Sequence, residues 1–126
     1  MESLSQEMTE KRVTRMMLEL GIPAHLKGYH YIRTAVILSL REKETMTNVT
    51  KTIYPMVARK YETTAQKVER AIRNAIEVSW CRGNMDYIEE LFGYSSSSEI
   101  GRPTNSEYIA RIVDELRLQS MEADAI

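Results

Sequence analysis

Apolar residues recur at helical spacing along almost the whole chain, and this periodicity limits the fold more than any other feature. Hardly any stretch alternates between apolar and polar residues for long enough to form a strand. The 126 residues suffice for one ordinary core and are too few for two of normal size. The sequence therefore predicts an all-α protein, a compact bundle of about six helices. We expect a single domain over residues 1–126, frayed at 1–5 and 121–126.

Two amphipathic helices are predicted in the N-terminal third of the chain. The first runs from Ser5 to Leu20 and stops at Gly21, with Pro23 just beyond as a breaker. The second begins after Gly28, precedes the charged run Arg41 to Glu44, and is expected to be the central core helix. The predicted core faces are Val13, Met16, Met17 and Leu20 in the first helix, and Ile32, Ala35, Val36, Ser39 and Leu40 in the second.

Between Thr47 and Tyr61 the helical pattern contains a proline. The apolar positions are Val49, Ile53, Val57 and Tyr61. Pro55 has no amide hydrogen and clashes with the preceding turn inside a helix. Its presence predicts either a kink or a helix that starts there, with Pro55 at its first position.

The best-delimited helix runs from about Ala65 to Arg82. Thr63 and Gln66 have the spacing of a capping box, and Gly83 is suited to a left-handed C-terminal stop. The limits of this helix are therefore expected to be set by local sequence.

Two further helices are predicted on either side of a long loop. A short helix covers Asn84 to Phe92, and the serine-rich loop runs from Gly93 to Pro103. Thr104 and Glu107 then form a second capping box, which opens a final helix with a frayed tail after Ser120. The inward face of this helix comprises Ile109, Ile112, Val113 and Leu116.

The segment from Tyr54 to Trp80 reads as helix, tight turn, helix. Val57, Tyr61 and Val68 are spaced to form a seam shared by both helices, and Ala58 is small enough for a close crossing. The connection is Glu62 to Thr64. A left-handed turn conformation at its first position costs more for glutamate than for glycine. The pattern predicts a helix-turn-helix.

The second helix of this motif has a wide apolar stripe, which fixes its outward face by subtraction. Trp80 lies on the stripe and is expected to anchor the core. The stripe is Val68, Ala71, Ile72, Ala75, Ile76, Ser79 and Trp80, and the outward set is Gln66, Glu69, Arg70, Arg73, Asn74 and Glu77.

The outward face carries groups suited to reading bases in the major groove. Arg70 and Arg73 share a face in the N-terminal half of the helix, where a recognition helix enters the groove. A guanidinium donates a bidentate fork to O6 and N7 of guanine, and the Glu69 carboxylate accepts from N4 of cytosine. These three residues are the predicted base contacts. They lie on a predicted recognition helix, about residues 65–82, which would enter the major groove of double-stranded DNA.

Charge is distributed unevenly in a chain whose formal net charge is only −1. From Lys51 to Arg82 there are seven Lys and Arg residues against three Glu, whereas Met1 to Glu10 and the tail after Met121 are acidic. One positive face is therefore expected to meet phosphates. Gln66 and Lys67 are the predicted phosphate-backbone contacts there.

The start of the last helix is a second candidate for a backbone contact. Its first amide hydrogens have no partner within the helix, and Arg102 lies beside them, so Thr104, Asn105 and Ser106 are candidates to clamp a phosphate. The alternative is a simple capping box on a core helix, which is the commoner reason for such a sequence.

Other kinds of function find little support. Cys81 has no histidine or acid at a spacing that would activate it, and His25 and His30 give no zinc pattern. No paired acid and base or metal-ligand set is evident, so we expect neither an enzyme nor a cofactor. No apolar run approaches a membrane span, and the N-terminus is too polar for a signal peptide, so a cytoplasmic location is expected.

Several long motifs occur in one order along the chain. They are GIPAHLKGYHYIR at 21–33, YPMVARKYETTAQKVERAIRNAIEVSWCRGN at 54–84, LFGY at 91–94 and PTNSEYIARIVDELRL at 103–118. Together they resemble the C-terminal DNA-binding effector domain of the sporulation master response regulator of endospore-forming Firmicutes. The resemblance covers about residues 18–118.

The resemblance implies a six-helix domain that binds short C·G-containing promoter boxes, often as tandem copies, and activates or represses transcription with RNA polymerase as a partner. Glu69, Arg70 and Arg73 match the family's base-reading positions. Asn74 stands where family members can carry histidine near the DNA backbone, and is therefore a further predicted backbone contact. The loop before Pro103 is less basic than in the family.

Family members normally carry an N-terminal receiver domain, and no parallel-sheet pattern precedes the first helix here. We expect either an excised effector domain, with the receiver as a partner, or a stand-alone paralogue. A paralogue without a receiver leaves open a second function, that of a helical protein-interaction module or antagonist of the regulator. Retention of Glu69, Arg70 and Arg73 favours DNA binding.

Overall fold

The computed structural model describes residues 6–41, 49–96 and 99–125. Within these ranges the chain forms six α-helices and a short π-helical turn and contains no strand, which confirms the all-α prediction. The helices are α1 (Gln6–Glu19), α2 (Lys27–Arg41), α3 (Tyr54–Lys60), α4 (Ala65–Arg82), α5 (Met85–Phe92) and α6 (Asn105–Ala125), and the π-helical turn is Val49–Ile53.

Helix α2 lies at the centre of the bundle, as the sequence predicts. It packs against α1, α3, α4 and α6. Ile32, Ala35 and Val36 are fully buried, and the Ser39 side chain is buried with them, whereas Leu40 is only half-buried. The buried faces of all six helices join in one hydrophobic cluster around α2.

Helix α1 ends at the glycine that the sequence predicted as its stop. Gly21 has φ +75°, the left-handed region, and its amide donates to the Leu18 carbonyl while the Ile22 amide donates to Met17. These two bonds form a Schellman motif, in which the last carbonyls of the helix find partners. Burial of Ile22 fixes the direction of the exit.

Close helix crossing explains a glycine near the start of α2. A Cβ atom on Gly28 would lie 2.3 Å from the Ala71 carbonyl oxygen and 2.8 Å from the Ala75 Cβ. Both neighbours belong to α4, and a backbone oxygen has little freedom to move. Helix α2 therefore holds α4 at backbone distance, which fixes the position of α4 in the bundle.

Pro55 lies in the first turn of α3, at the second helical position rather than the first. The preceding residues, Val49–Ile53, form a π-helical turn, so the chain changes helix type just before the proline. A proline in the first turn of a helix forfeits no internal hydrogen bond. The side chain of Val49 and the charged residues after Arg41 lie outside the described residues.

Helix α4 has the bounds that the sequence predicts, Ala65–Arg82, but both of its predicted caps are wrong. The N-cap is Thr64, whose hydroxyl accepts from the Lys67 amide at 3.2 Å, so the predicted Thr63 and Gln66 capping box does not form. Gly83 has φ −72° and is extended rather than left-handed. Its amide still bonds to the Ser79 carbonyl, and a Cβ atom there would lie 2.6 Å from the Leu20 carbonyl oxygen. Gly83 is thus required by close packing, not by its φ angle.

Helices α5 and α6 begin at side-chain caps. The Asn84 side chain accepts from the Tyr87 amide, and Gly93 closes α5 with φ +89°. The predicted capping box of α6 is confirmed, because Thr104 and Glu107 each accept from the other's amide, at 3.2 and 2.9 Å.

The C-terminal helix extends almost to the end of the chain. Helix α6 continues to Ala125, past Ser120. Fraying of the chain ends stays a prediction, and residues 1–5 lie outside the described ranges. None of the described helices combines the length and apolar character that crossing a bilayer requires.

Candidate nucleic-acid interface

The turn between α3 and α4 depends on one non-glycine residue with positive φ. Glu62 has φ +55°, and its amide donates to the Arg59 carbonyl while the Thr63 amide donates to Ala58 at 2.9 Å. This is again a Schellman motif, built on glutamate instead of glycine. The predicted left-handed strain at Glu62 is present, and the turn aims α4 away from α3.

The seam between α3 and α4 is formed as the sequence predicts. Val57 and Val68 are fully buried, and Ala58 is nearly so. The half-buried Tyr61 is held from outside the motif, because its hydroxyl lies 2.7 Å from the Thr34 hydroxyl on α2. The two helices are therefore fixed both to each other and to the central helix.

The predicted outward face of α4 lies at the surface. Glu69 is half-buried, and Gln66, Arg70, Arg73, Asn74 and Glu77 are exposed. Trp80, on the opposite face, is buried, with its ring 5.4 Å from Phe92 and 5.5 Å from Tyr94 between centroids. The core assignment of Trp80 is thus confirmed, and α4 turns polar and charged groups toward solvent.

Two ion pairs join charges on this face. Arg73 pairs with Glu69 one turn earlier on α4, and Arg102 in the loop before α6 pairs with Glu77 at 3.0 Å. All four side chains keep between 39% and 52% of their surface exposed. Exposed pairs of this kind are weak and exchange readily for other charged partners. The arginines are therefore available to an incoming polyanion.

A cleft of about 500 Å³ separates the N-terminal part of α4 from the start of α6. It brings together five of the predicted DNA contacts, which are Glu69, Arg73, Thr104, Asn105 and Ser106. Arg102 and Tyr54 also line it. The two segments that the sequence proposed separately, the recognition helix and the α6 start, thus form one surface.

Tyr54, at the base of the cleft, was not identified from the sequence. Its side chain is 3% exposed and hydrogen-bonded to the side chain of Asn105. Burial raises the pKa of the Tyr54 phenol, the neighbouring Glu69 raises it further, and the Asn105 hydrogen bond and Arg73 oppose the rise. The hydroxyl therefore remains protonated at neutral pH. The apolar residues near Tyr54 in the sequence indicated only that this segment packs in the core.

The remaining predicted contacts lie outside the cleft. Gln66, Lys67, Arg70 and Asn74 are exposed on α4 and do not line it. Lys67 and Arg70 are neighbours on the helix surface outside the cleft, so the positive charge of this region is not confined to one pocket. A charged helix face beside a cleft suits an extended ligand.

A known protein family matches most of the chain. The family described as "Sporulation initiation factor Spo0A C terminal" matches residues 13–116, which include the second half of α1, all of α2 to α5 and the first half of α6. The chain belongs to this family. Spo0A C-terminal domains are DNA-binding effector domains of a response regulator and act in transcription regulation during sporulation.

The Spo0A C-terminal family is a family of transcription factors, not of enzymes. Its match also confirms the resemblance drawn from the four sequence motifs. In the described part of this Spo0A-type chain, no group of three or more His, Cys, Asp or Glu residues is placed to hold a metal ion. The exposed α4 face presents charged and hydrogen-bonding side chains.

Proposed function

We propose that this domain binds double-stranded DNA sequence-specifically, with α4 in the major groove. The observation that carries the proposal is the position of Glu69, Arg70 and Arg73, which project from the first half of a helix whose other face is locked in the core. The first half of the second helix is the part of a helix-turn-helix that meets base edges.

The proposed base contacts use complementary hydrogen bonding. Arg70 and Arg73 each donate to O6 and N7 of guanine, and the Glu69 carboxylate accepts from N4 of cytosine. In the free protein Glu69 already pairs with Arg73, which limits the rotamers of both side chains before binding. Such preorganisation reduces the entropy lost on association. The proposal thus predicts a site with a C·G step.

Contacts to the phosphate backbone flank these three residues. Gln66, Lys67 and Asn74 are placed along the exposed sides of α4, where they would meet one strand. Thr104, Asn105 and Ser106, across the cleft, would meet the other strand through main-chain amides at the α6 start. The Thr104 amide is already bonded to Glu107, so Asn105 and Ser106 carry most of this second contact.

Further partners follow from family membership. We infer binding as tandem copies on DNA, contact with RNA polymerase and, if the chain is part of a longer protein, control by a receiver domain. A role on chromosomal DNA would place the protein in the cytoplasm.

The proposal is tested by selecting binding sites from random duplexes at several salt concentrations. We expect an enriched C·G-containing motif, and an affinity that falls steeply with salt for both selected and scrambled duplexes. The spacing of repeats in the selected pool reports tandem binding. If no motif is enriched, sequence-specific DNA binding is refuted and the protein-interaction module becomes the better-supported function.

Substitution of the two arginines tests the base-reading role. Arg70→Ala and Arg73→Ala are each expected to weaken binding to the selected duplex by ~1–3 kcal/mol and to relax preference at one base pair. Lys67→Ala should lower affinity for selected and scrambled duplexes alike. Arg82→Ala is the control. Arg82 lies on the same helix, about 13 Å beyond Arg73 along the helix axis, and its loss should leave base preference unchanged.

A further inference from the structure

Asn105, the first residue of α6, makes an unusual contact with the recognition helix. Its side-chain Nδ2 donates to the main-chain carbonyl of Glu69 at 2.9 Å, across 36 positions of sequence. Its side chain is also hydrogen-bonded to Tyr54, the first residue of α3. One amide group therefore joins α6 to both helices of the helix-turn-helix.

The bond reaches α4 at the turn that carries two of the proposed base-reading side chains. In an α-helix the carbonyl of Glu69 accepts from the amide of Arg73, so this carbonyl links their positions along the backbone. A carbonyl oxygen has a second lone pair, and Asn105 uses it. The position of this turn relative to α6 is therefore specified by a hydrogen bond rather than by apolar packing alone.

We propose that the Asn105 side chain is a positioning residue that sets the orientation of Glu69 and Arg73 toward DNA. This inference rests on the proposed base-reading role of α4. It assigns the Asn105 side chain a role within the protein, and leaves a phosphate contact at this position to the main-chain amide. Tyr54 supports the arrangement from below the cleft.

The rest of the interface between α4 and α6 does not depend on this amide. The Ser79 and Tyr108 hydroxyls bond at 2.8 Å in the buried part of the contact. The Thr104 and Glu107 capping box sets the start of α6 independently of Asn105. Loss of the Asn105 side-chain bonds should therefore loosen the Glu69 turn while the fold is retained.

Asn105→Asp separates positioning from stability. The substitution keeps the shape of the side chain, but replaces the donor to the Glu69 carbonyl with an oxygen. A carboxylate in the first turn of α6 interacts favourably with the helix dipole, so the helix itself is not weakened. Asn84→Asp is the matched control, because it makes the same change at the α5 N-cap, where Asp caps as well as Asn.

The binding test measures the ratio of affinities for the selected duplex and for duplexes altered at single base pairs. In Asn105→Asp and Asn105→Ala we expect discrimination to fall roughly three- to tenfold, the effect of one lost hydrogen bond, at the base pairs that Arg73→Ala also affects. Discrimination at the base pair assigned to Arg70 should be retained. Asn84→Asp should leave every ratio unchanged.

A second readout uses the free protein, without DNA. Amide hydrogen exchange at residues 69–73 should become several-fold faster in Asn105→Asp and in Tyr54→Phe, and remain unchanged in Asn84→Asp. Unchanged exchange, or an equal loss of affinity for all duplexes, would overturn the positioning role. A wild-type protein that selects no motif would refute the proposed function instead, and the exchange experiment would still decide whether Asn105 holds the turn.

Discussion

At the scale of single residues, ion pairs within the protein offset part of the positive charge on the proposed DNA face. Arg73 is paired with Glu69, and Arg102 with Glu77. Phosphates attract unpaired cations whatever the base sequence, so paired cations bind scrambled DNA less strongly. A carboxylate that only pairs with a cation, as Glu77 does with Arg102, therefore reduces affinity for all DNA.

Glu77 is the clearest test of this effect. Glu77→Gln removes a negative charge and releases Arg102, so affinity for scrambled duplexes should rise roughly two- to fivefold at low salt, the effect of an exposed ion pair. Affinity for the selected duplex should rise by a similar factor, because Arg102 is not one of the proposed base contacts, and competition between selected and scrambled duplexes measures both changes. Glu90→Gln, on the exposed side of α5, is the control for loss of one charge. Equal affinities of Glu77→Gln and wild type for scrambled DNA would contradict this effect.

At the scale of elements, helix ends decide how the recognition helix is aimed. Helix α3 ends in a Schellman motif and α4 begins four residues later at the Thr64 cap, so little chain is left to vary the angle between them. The left-handed position in this turn is occupied by Glu62, where a Cβ atom is unfavourable. The turn therefore stores strain that the packing of both helices must overcome.

Glu62→Gly should stabilise the protein. A glycine adopts φ +55° without steric cost, and we expect the free energy of unfolding to increase by about 1 kcal/mol, measured by urea denaturation. Glu62→Ala is the matched control, since it removes the carboxylate but keeps the Cβ atom, and it should not stabilise. A similar gain in both variants would assign the effect to the side-chain charge rather than to the backbone.

At the scale of the whole molecule, α1 and α5 both pack against α6, and Tyr87 on α5 lies near carboxylates of all three helices. Burial, followed by the carboxylates of Glu115, Glu19 and Glu90, raises the pKa of Tyr87 from 10.0 to about 12. The folded protein thus retains the phenol proton at a pH where the unfolded chain loses it. Its contribution to stability is complete below pH 10 and is lost as pH rises to about 12.

Tyr87→Phe should reduce this alkaline loss. The free energy of unfolding of wild type should fall between pH 10 and 12, and the fall should be smaller in the variant, because phenylalanine releases no proton in either state. Buried Tyr108, whose pKa is also raised by burial, should account for part of the fall that remains. Urea denaturation at pH 9, 10 and 11 provides the measurement. Parallel curves for wild type and Tyr87→Phe would show that Tyr87 does not contribute.

Most of the helices could be predicted because their signals are local. Gly21 stops α1, and Thr104 and Glu107 cap α6, through bonds between residues at most five apart. The outward face of α4 also followed from periodicity, since each side chain on a straight helix has a direction fixed by its number. The predicted N-cap of α4 is wrong by one residue, for a physical reason. Thr63 and Thr64 offer the same hydroxyl, and only the Schellman turn determines which one caps the helix.

Sequence alone thus determined the helical class, the helix-turn-helix and the set of side chains that α4 turns outward, because these depend on residues a few positions apart. Tertiary structure decided the role of Gly83, which allows a close approach to Leu20, and the pairing of Arg102 with Glu77. It also brought the Asn105 side-chain amide within hydrogen-bonding distance of the Glu69 main-chain carbonyl. These contacts join segments far apart in the chain, and their geometry arises only when the helices pack around α2, where no local pattern of residues specifies the angle between them.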